Sequence, residues 1–465
     1  MVIANCENQF SQFRLRLYHL HFNKRNDALM DLLDAICSGR LARSVAEYSL
    51  SCFFRRDYNS LYKAIQEYQP EKAVLNQARL VAPALPRPQK RPFRLLGLDV
   101  TPCPRIYAYK LEGRECVYQP SPIRGNKQIT YGHQFSDLFE LPEREGSYAP
   151  RWVIPLDDQR ATRDNQEETG VRQVRTLLED PRLPFGQELC VLAVDCHYST
   201  PTFLEALSDK PNLIIIVRAR SNRHFSFQAR VSRIGKGHPL WYEEQEFSLK
   251  DPTTWPEPDE KLSIPGTSRR GKAYRTEIWN WHNLVMRGKC KPARIPMQNH
   301  PFILVRIMRY NEKNEPVFKR PLWLIVMGEQ RHKLSLSDIQ EAYQQRPDME
   351  HFFRFGKQQM LLDRYQTPET VHEEHWWKLV HLAYLQLWVA KEYATCQPHP
   401  WQRYLPQVKE KHLSPTMVQR SFERIIRQFG TPAQAPKQRG KSLGRSKGKA
   451  PGLRKAQAIV LHRRI

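Results

Sequence analysis

The chain has 465 residues, with 73 Lys and Arg against 48 Asp and Glu, a formal net charge of +25 and a sequence pI near 9.7. Hydrophobic residues make up 40% and the mean hydropathy is -0.65, and no run reaches the roughly 20 apolar residues that a membrane-spanning helix needs. The strongest candidates fail on length (Leu213 to Val217) or on interruption by Lys378, His381 and Gln386 (Trp376 to Ala390), so the composition points to a soluble protein with an anionic partner.

At the N-terminus, MVIANCENQF lacks the basic start and apolar core of a signal peptide, which predicts a cytoplasmic location. Nine cysteines without a C-x-x-C pair or zinc-finger spacing fit a reducing compartment and no structural zinc. Residues 1–80 read as a helical domain, with Leu29, Leu32, Leu33 and Ile36 on one helical face. A break at Leu50-Ser51-Cys52 sits where a helix-turn-helix would turn, placing Arg55, Arg56, Asn59 and Lys63 on a DNA-facing helix. The alternative is a plain dimerisation or packing bundle. Residues 81–93, with Pro83, Pro86, Pro88 and Pro92 among Arg87, Lys90 and Arg91, read as a basic linker.

Beyond the linker the pattern predicts strands at RLLGLDV (94–100), RIYAYKL (105–111), ECVYQP (115–120) and QITYGHQF (128–135). A helix over 166–178, a strand at ELCVLAVD (188–195), a helix opened by Thr200-Pro201 and a buried strand at NLIIIVRAR (212–220) follow. This is an α/β core with a mixed sheet over 94–220, resumed over 301–400 by strands at 301–310 and 320–328. Between them, 221–300 reads as an insertion. Helices are expected from Ser337, with the capping-box spacing to Gln340, over 347–365 and over 373–393, and a helical region over 401–430. From Arg424 to the end there are 12 Lys or Arg and no acid, and 431–465 has the composition of a disordered tail that neutralises phosphates. The bland reading of this tail is a solubilising one.

Two carboxylates stand at strand ends, Asp99 after RLLGL and Asp195 after LCVLAV. Ligands of open α/β sheets collect beyond the carboxyl ends of strands, and neighbouring Asp residues there suit hard cations. In YQQRPDMEHFFRFGK, Tyr343, Arg346, Glu350 and Lys357 have the spacing Y-x2-R-x3-E-x6-K, one helical face if the helix survives Pro347. Asp348 points elsewhere by this spacing, leaving Glu350 as the third carboxylate.

With these residues the chain, over about 93–365, resembles the bacterial insertion-sequence DDE transposases that carry the YREK signature. The resemblance implies an RNase H-like catalytic domain whose mixed sheet is flanked by helices and interrupted by a β-rich insertion over 221–300. It implies Asp99, Asp195 and Glu350 as ligands of two Mg2+ ions, which Mn2+ can replace, with phosphate contacts from Tyr343 and Arg346 and a hold on the transposon end by Lys357. Arg354 joins this DNA-binding set. The implied reaction cuts double-stranded DNA at transposon ends and joins the freed 3′-OH to target DNA, in a homodimer that holds two ends on the bacterial nucleoid. Pro347 stands where the family has a large aromatic; it either starts the Glu-bearing helix or turns Tyr343 and Arg346 away from Glu350.

Family members often proceed through a DNA hairpin, whose strained bases call for aromatic stacking. In the insertion, SRRGKAYRTEIWNWHN offers Arg269 and Arg270 before Trp279 and Trp281, although a tryptophan on a strand more often serves a core. Two other readings use the same residues: a two-metal nuclease that cuts without joining, and a DNA-binding descendant that has lost cleavage.

Overall fold

The computed structural model describes residues 2–119, 128–144, 146, 149–229, 241–268, 270–288, 295–394, 413–437 and 456–459. In chain order the elements are α1 (Val2–Arg16), α2 (Asn26–Ser38), α3 (Tyr58–Glu67), α4 (Gln77–Val81), β1 (Arg94–Pro104), β2 (Glu115–Tyr118), β3 (Ile129–Glu140) and β4 (Ile154–Ala161). There follow α5 (Gln166–Glu179), β5 (Cys190–Val194), α6 (Pro201–Glu205), β6 (Leu213–Arg218), β7 (His224–Gln228), β8 (Tyr242–Ser248), β9 (Glu260–Thr267) and β10 (Ala273–Val285). The last are β11 (Phe302–Asn311), β12 (Leu322–Met327), α7 (Leu336–Gln345), α8 (Asp348–Gln359), α9 (Thr370–Ala390) and α10 (Pro415–Phe429). They form two compact units that interleave in sequence, one of residues 1–86, 100–166 and 348–465 and the other of 87–99 and 167–347. No helix among the described residues is long and apolar enough to cross a membrane.

The first unit is organised by α9. A helix apolar around most of its circumference must be enclosed, and Trp376, Trp377, Leu379, Leu382, Leu385 and Leu387 are all fully buried. Helices α1, α2, α3 and α10 and strand β4 pack on it. The three polar residues that interrupt its sequence each meet a partner. Lys378 donates to Asp158 at 2.9 Å, His381 lies 3.3 Å from Asp137, and Gln386 donates to Asp34 at 3.0 Å. Burial pushes the Asp137 carboxyl well up and the His381 imidazole well down, so both are driven toward their neutral forms. Phe135 of β3 stacks on Trp377 with ring centroids 4.0 Å apart. Buried Arg14 of α1 is ion-paired with Asp34 of α2 and donates to Gln386, so one polar group ties three helices.

In the second unit the strands run in the order β1-β5-β6-β12-β11-β10-β7-β8, with β9 also paired to β10. The pairs β1–β5 and β5–β6 are parallel, and the following pairs from β6–β12 onward are antiparallel. The buried run Leu213–Val217 explains why β6 reads as continuously apolar, as a strand covered on both faces should. Residues 221–300 carry β7 to β10. A bulge in β10 between Trp281 and Leu284, where Asn283 has φ 57°, ends the pairing with β9 and begins that with β7.

Several expected elements differ. Residues 105–111 form turns rather than a strand, because Pro104 has no N–H for the ladder and Arg105 is drawn into an ion pair with Glu373 of α9. Strand β4 and helix α1 are additional. The segment around Leu50 is a 3-10 turn (Val45–Leu50), and α3 starts only at Tyr58. Arg55 and Arg56 therefore precede the helix expected to carry them, and both are ion-paired with buried Asp31. The helix expected from Ser337 begins two residues earlier, since Ser335 and Asp338, not Ser337 and Gln340, form the capping box. The helix does not run through Pro347: α7 ends at Gln345 and α8 starts at Asp348, so the expected second helix starts right after the proline. Residues 438–455 of the basic tail and 395–412 lie outside the described residues.

Replacing Asp34 by Ala strands the buried Arg14 guanidinium, and we expect a loss of about 3–5 kcal/mol in chemical denaturation followed by tryptophan fluorescence. The apolar double variant Arg14→Met/Asp34→Leu should lose clearly less, because neither charge is then left buried alone.

Candidate active site

The site grows out of the parallel strands of the second unit. Leu95, Leu96 and Leu98 of β1 and all of Cys190–Val194 of β5 are buried, so hydrophobic burial holds them in the interior. The register runs from Arg94↔Cys190 to Gly97↔Ala193. Asp99 lies on β1 two residues beyond this register and Asp195 directly follows β5, so both acids stand at the same end of neighbouring parallel strands. Helix α5 can lie against this end of β1 because residue 170 is glycine. A Cβ there would sit 2.6 Å from the Leu98 Cδ2.

Asp195 leaves β5 and caps a 3-10 turn, Cys196–Tyr198, by accepting the His197 backbone N–H at 2.9 Å. That bond fixes the carboxylate at the strand end. Asp99 is half-buried, and the Arg346 guanidinium stands 3.2 Å from its Oδ2. Tyr343, one turn earlier on α7, belongs to the same cluster. Burial pushes its phenol up to about 12; Arg346 and Arg218 oppose the shift and Asp195 adds to it. The hydroxyl therefore keeps its proton at neutral pH and can donate to an anionic oxygen.

The break at Pro347 coincides with the passage from one unit to the other, so Asp99, Asp195, Tyr343 and Arg346 belong to the second unit and Glu350 and Lys357 to the first. Glu350 is exposed near the start of α8. Asp348, two residues before it, is fully buried and accepts from Arg144 at 2.9 Å, so of the two acids Glu350 is the accessible one. Lys357 is directed inward, its ammonium donating to Thr101 Oγ1 at 2.9 Å and the Pro102 carbonyl at 2.7 Å. Arg354 is exposed on α8.

In the insertion, Trp281 is buried among Phe247, Trp255 and Trp323, and its indole N–H donates to the Pro256 carbonyl at 2.9 Å. It is a core residue. Trp279 is half-buried, with Arg306 over its ring at 4.4 Å. Arg270 is exposed, and Arg269 lies outside the described residues.

Among the described residues no group of three or more His, Cys, Asp and Glu side chains is arranged to hold a metal ion. Asp99 and Asp195 are both hard oxygen donors, the ligand type that divalent cations such as Mg2+ take. Sequence reading missed Arg218, which ends β6 beside Asp195. Setting the strand ends LGLD, LAVD and IIVR against one another would have exposed it.

A sequence model described as DDE superfamily endonuclease matches residues 17–283, more than half of the chain. The match includes Asp99 and Asp195 and stops before the segment that carries Glu350. The mixed α/β architecture, with a large mixed sheet and flanking helices, is consistent with the RNase H-like fold of such enzymes. No curated protein matches the chain.

The two tryptophans should separate cleanly in denaturation experiments. Trp281→Ala is expected to cost about 3–5 kcal/mol, and Trp279→Ala markedly less. Arg346→Gln removes a cation that competes for Asp99; at roughly 1 kcal/mol for such a partly exposed pair, Mn2+ should bind about fivefold more tightly without DNA, as read by electron paramagnetic resonance.

Proposed function

Because the chain belongs to the DDE superfamily endonucleases, we propose that it is a DNA transposase of the bacterial insertion-sequence type with the YREK signature. It cuts double-stranded DNA at the ends of a mobile element and joins the freed 3′-OH to target DNA. The observation that supports this reading is the parallel pairing of β1 with β5, two strands that each run into an aspartate, Asp99 and Asp195, at the same end.

In this reading Asp99, Asp195 and Glu350 would be the carboxylates that hold two Mg2+ ions, with Mn2+ as a substitute. Divalent ions so held would lower the pKa of an attacking water and relieve charge on the leaving oxygen. The chain's own groups position the substrate. Tyr343 donates its hydroxyl proton to a phosphate oxygen, and Arg346 exchanges its ion pair with Asp99 for a contact with the DNA backbone. Arg354 and Arg270 add exposed positive charge along the duplex, Trp279 offers the stacking ring, and the basic C-terminal segment contributes sequence-independent affinity. Two copies hold the two ends together on the nucleoid, in the cytoplasm of a bacterial cell. No covalent enzyme intermediate is needed.

One observation favours a second reading. The Y-R and E-K halves of the motif sit on different helices, α7 and α8, separated at Pro347, as would suit a nuclease or DNA-binding descendant that no longer joins strands.

The deciding experiment is cleavage and strand transfer on a plasmid carrying the flanking end sequences, with Mg2+, for the native chain, Asp195→Ala and Glu350→Ala. Excision and joining by the native chain, reduced by about a thousandfold or more in both variants while DNA binding persists, is the expected result. Tight binding without any cutting by the native chain would overturn the enzyme reading, and cutting without joining would reduce the protein to a nuclease.

A further inference from the structure

Asp99 and Asp195 have a cationic neighbour at the same end of the sheet. The register of β5 with β6 runs from Cys190↔Leu213 to Val194↔Val217, and the next residues are Asp195, directly after β5, and Arg218, the last of β6. Asp99, Asp195 and Arg218 therefore form a row at one end of three neighbouring parallel strands. At the usual strand spacing the Arg218 Cα lies about 5 Å from that of Asp195 and about 10 Å from that of Asp99.

Arg218 is exposed, whereas Val217 before it and Ala219 after it are buried. An arginine this close to carboxylates ordinarily pairs with one. Here Asp195 accepts the His197 backbone N–H and Asp99 stands against Arg346, while Arg218 makes no side-chain hydrogen bond or ion pair with the described residues. The same strand end continues into exposed Arg220, and then into Arg223, which donates to the Ser199 carbonyl at 2.9 Å in the segment that follows Asp195. Arg220 is close enough for its charge to add to the burial that lowers the Arg223 guanidinium. Arg220 and Arg223 thus add positive charge on the strand-end side where Arg218 stands.

We infer that Arg218 is a substrate-binding residue of the active site, holding the DNA phosphate next to the aspartate pair through its guanidinium. This inference rests on the nuclease reading proposed above. A phosphate cannot approach two carboxylates unaided, because all carry negative charge; a permanently cationic, planar donor at the end of the row supplies both attraction and bidentate geometry for two non-bridging oxygens. Arg218 thereby fixes which side of the aspartates the DNA strand passes, toward β6.

The test uses the full chain and duplex DNA carrying the flanking end sequence. Binding is measured by fluorescence anisotropy across a salt series, and cleavage at saturating DNA with Mg2+, for native protein, Arg218→Ala, Arg218→Lys and, as a control for general charge, Lys250→Ala. Arg218→Ala should lower the slope of log affinity against log salt by about one and slow cleavage roughly 10- to 100-fold. Arg218→Lys should recover the slope but not the rate, since a point charge replaces a fork, and Lys250→Ala should change neither. A native slope and rate in Arg218→Ala would overturn the inference while leaving the nuclease reading intact. If the native chain does not cut at all, the nuclease reading fails, and an unchanged slope in Arg218→Ala would remove the phosphate contact as well.

Discussion

The parallel ladder of β1, β5 and β6 is the constraint on which the candidate site depends. It is built from apolar side chains, Leu95, Leu96 and Leu98 on one strand and the wholly buried Cys190–Val194 and Leu213–Val217 on the next two. Both faces of these strands are covered, so burial holds them in the interior and the backbone ladder carries the register. Asp99, Asp195 and Arg218 then stand at the same end of this ladder, where Asp99 is ion-paired with Arg346 and Asp195 accepts the His197 N–H.

A different principle governs the unit built around α9. That helix is apolar enough to be enclosed on nearly all sides, yet it carries Lys378, His381 and Gln386 into the interior. Each is matched by an acid from another element, Asp158, Asp137 and Asp34. Buried polar groups of this kind cost desolvation energy, and pairing offsets only part of it. They do restrict how the helices and β4 can dock on α9, because any other arrangement leaves a buried polar group without its partner.

The chain passes between its two units at positions that matter for the site. Asp99 is the last residue of its segment in the second unit, and Pro347 closes that unit's other segment just before Glu350. The proline removes one backbone donor and ends α7, so four residues that read as one helical face are carried by two helices. Burial then divides their tasks further. Lys357 is committed to Thr101 and Pro102, whereas Tyr343 and Arg346 stay beside the aspartates.

By itself the sequence determined the α/β class, the strands at 94–100, 188–195 and 212–220 and the place of Asp99 and Asp195 at or after strand ends, because runs of apolar residues ended by an acid are local patterns. It misread 105–111, where alternation resembled a strand but Arg105 had a buried partner in Glu373, far along the chain. It placed Arg55 and Arg56 on a helix, because their attraction to Asp31 is likewise invisible in local spacing. Only the tertiary structure decided that Trp281 belongs to the core, that Lys357 faces inward and that Arg218 ends the strand next to the one Asp195 follows. Each depends on which strand or helix lies alongside, a relation between distant segments set by packing rather than by periodicity.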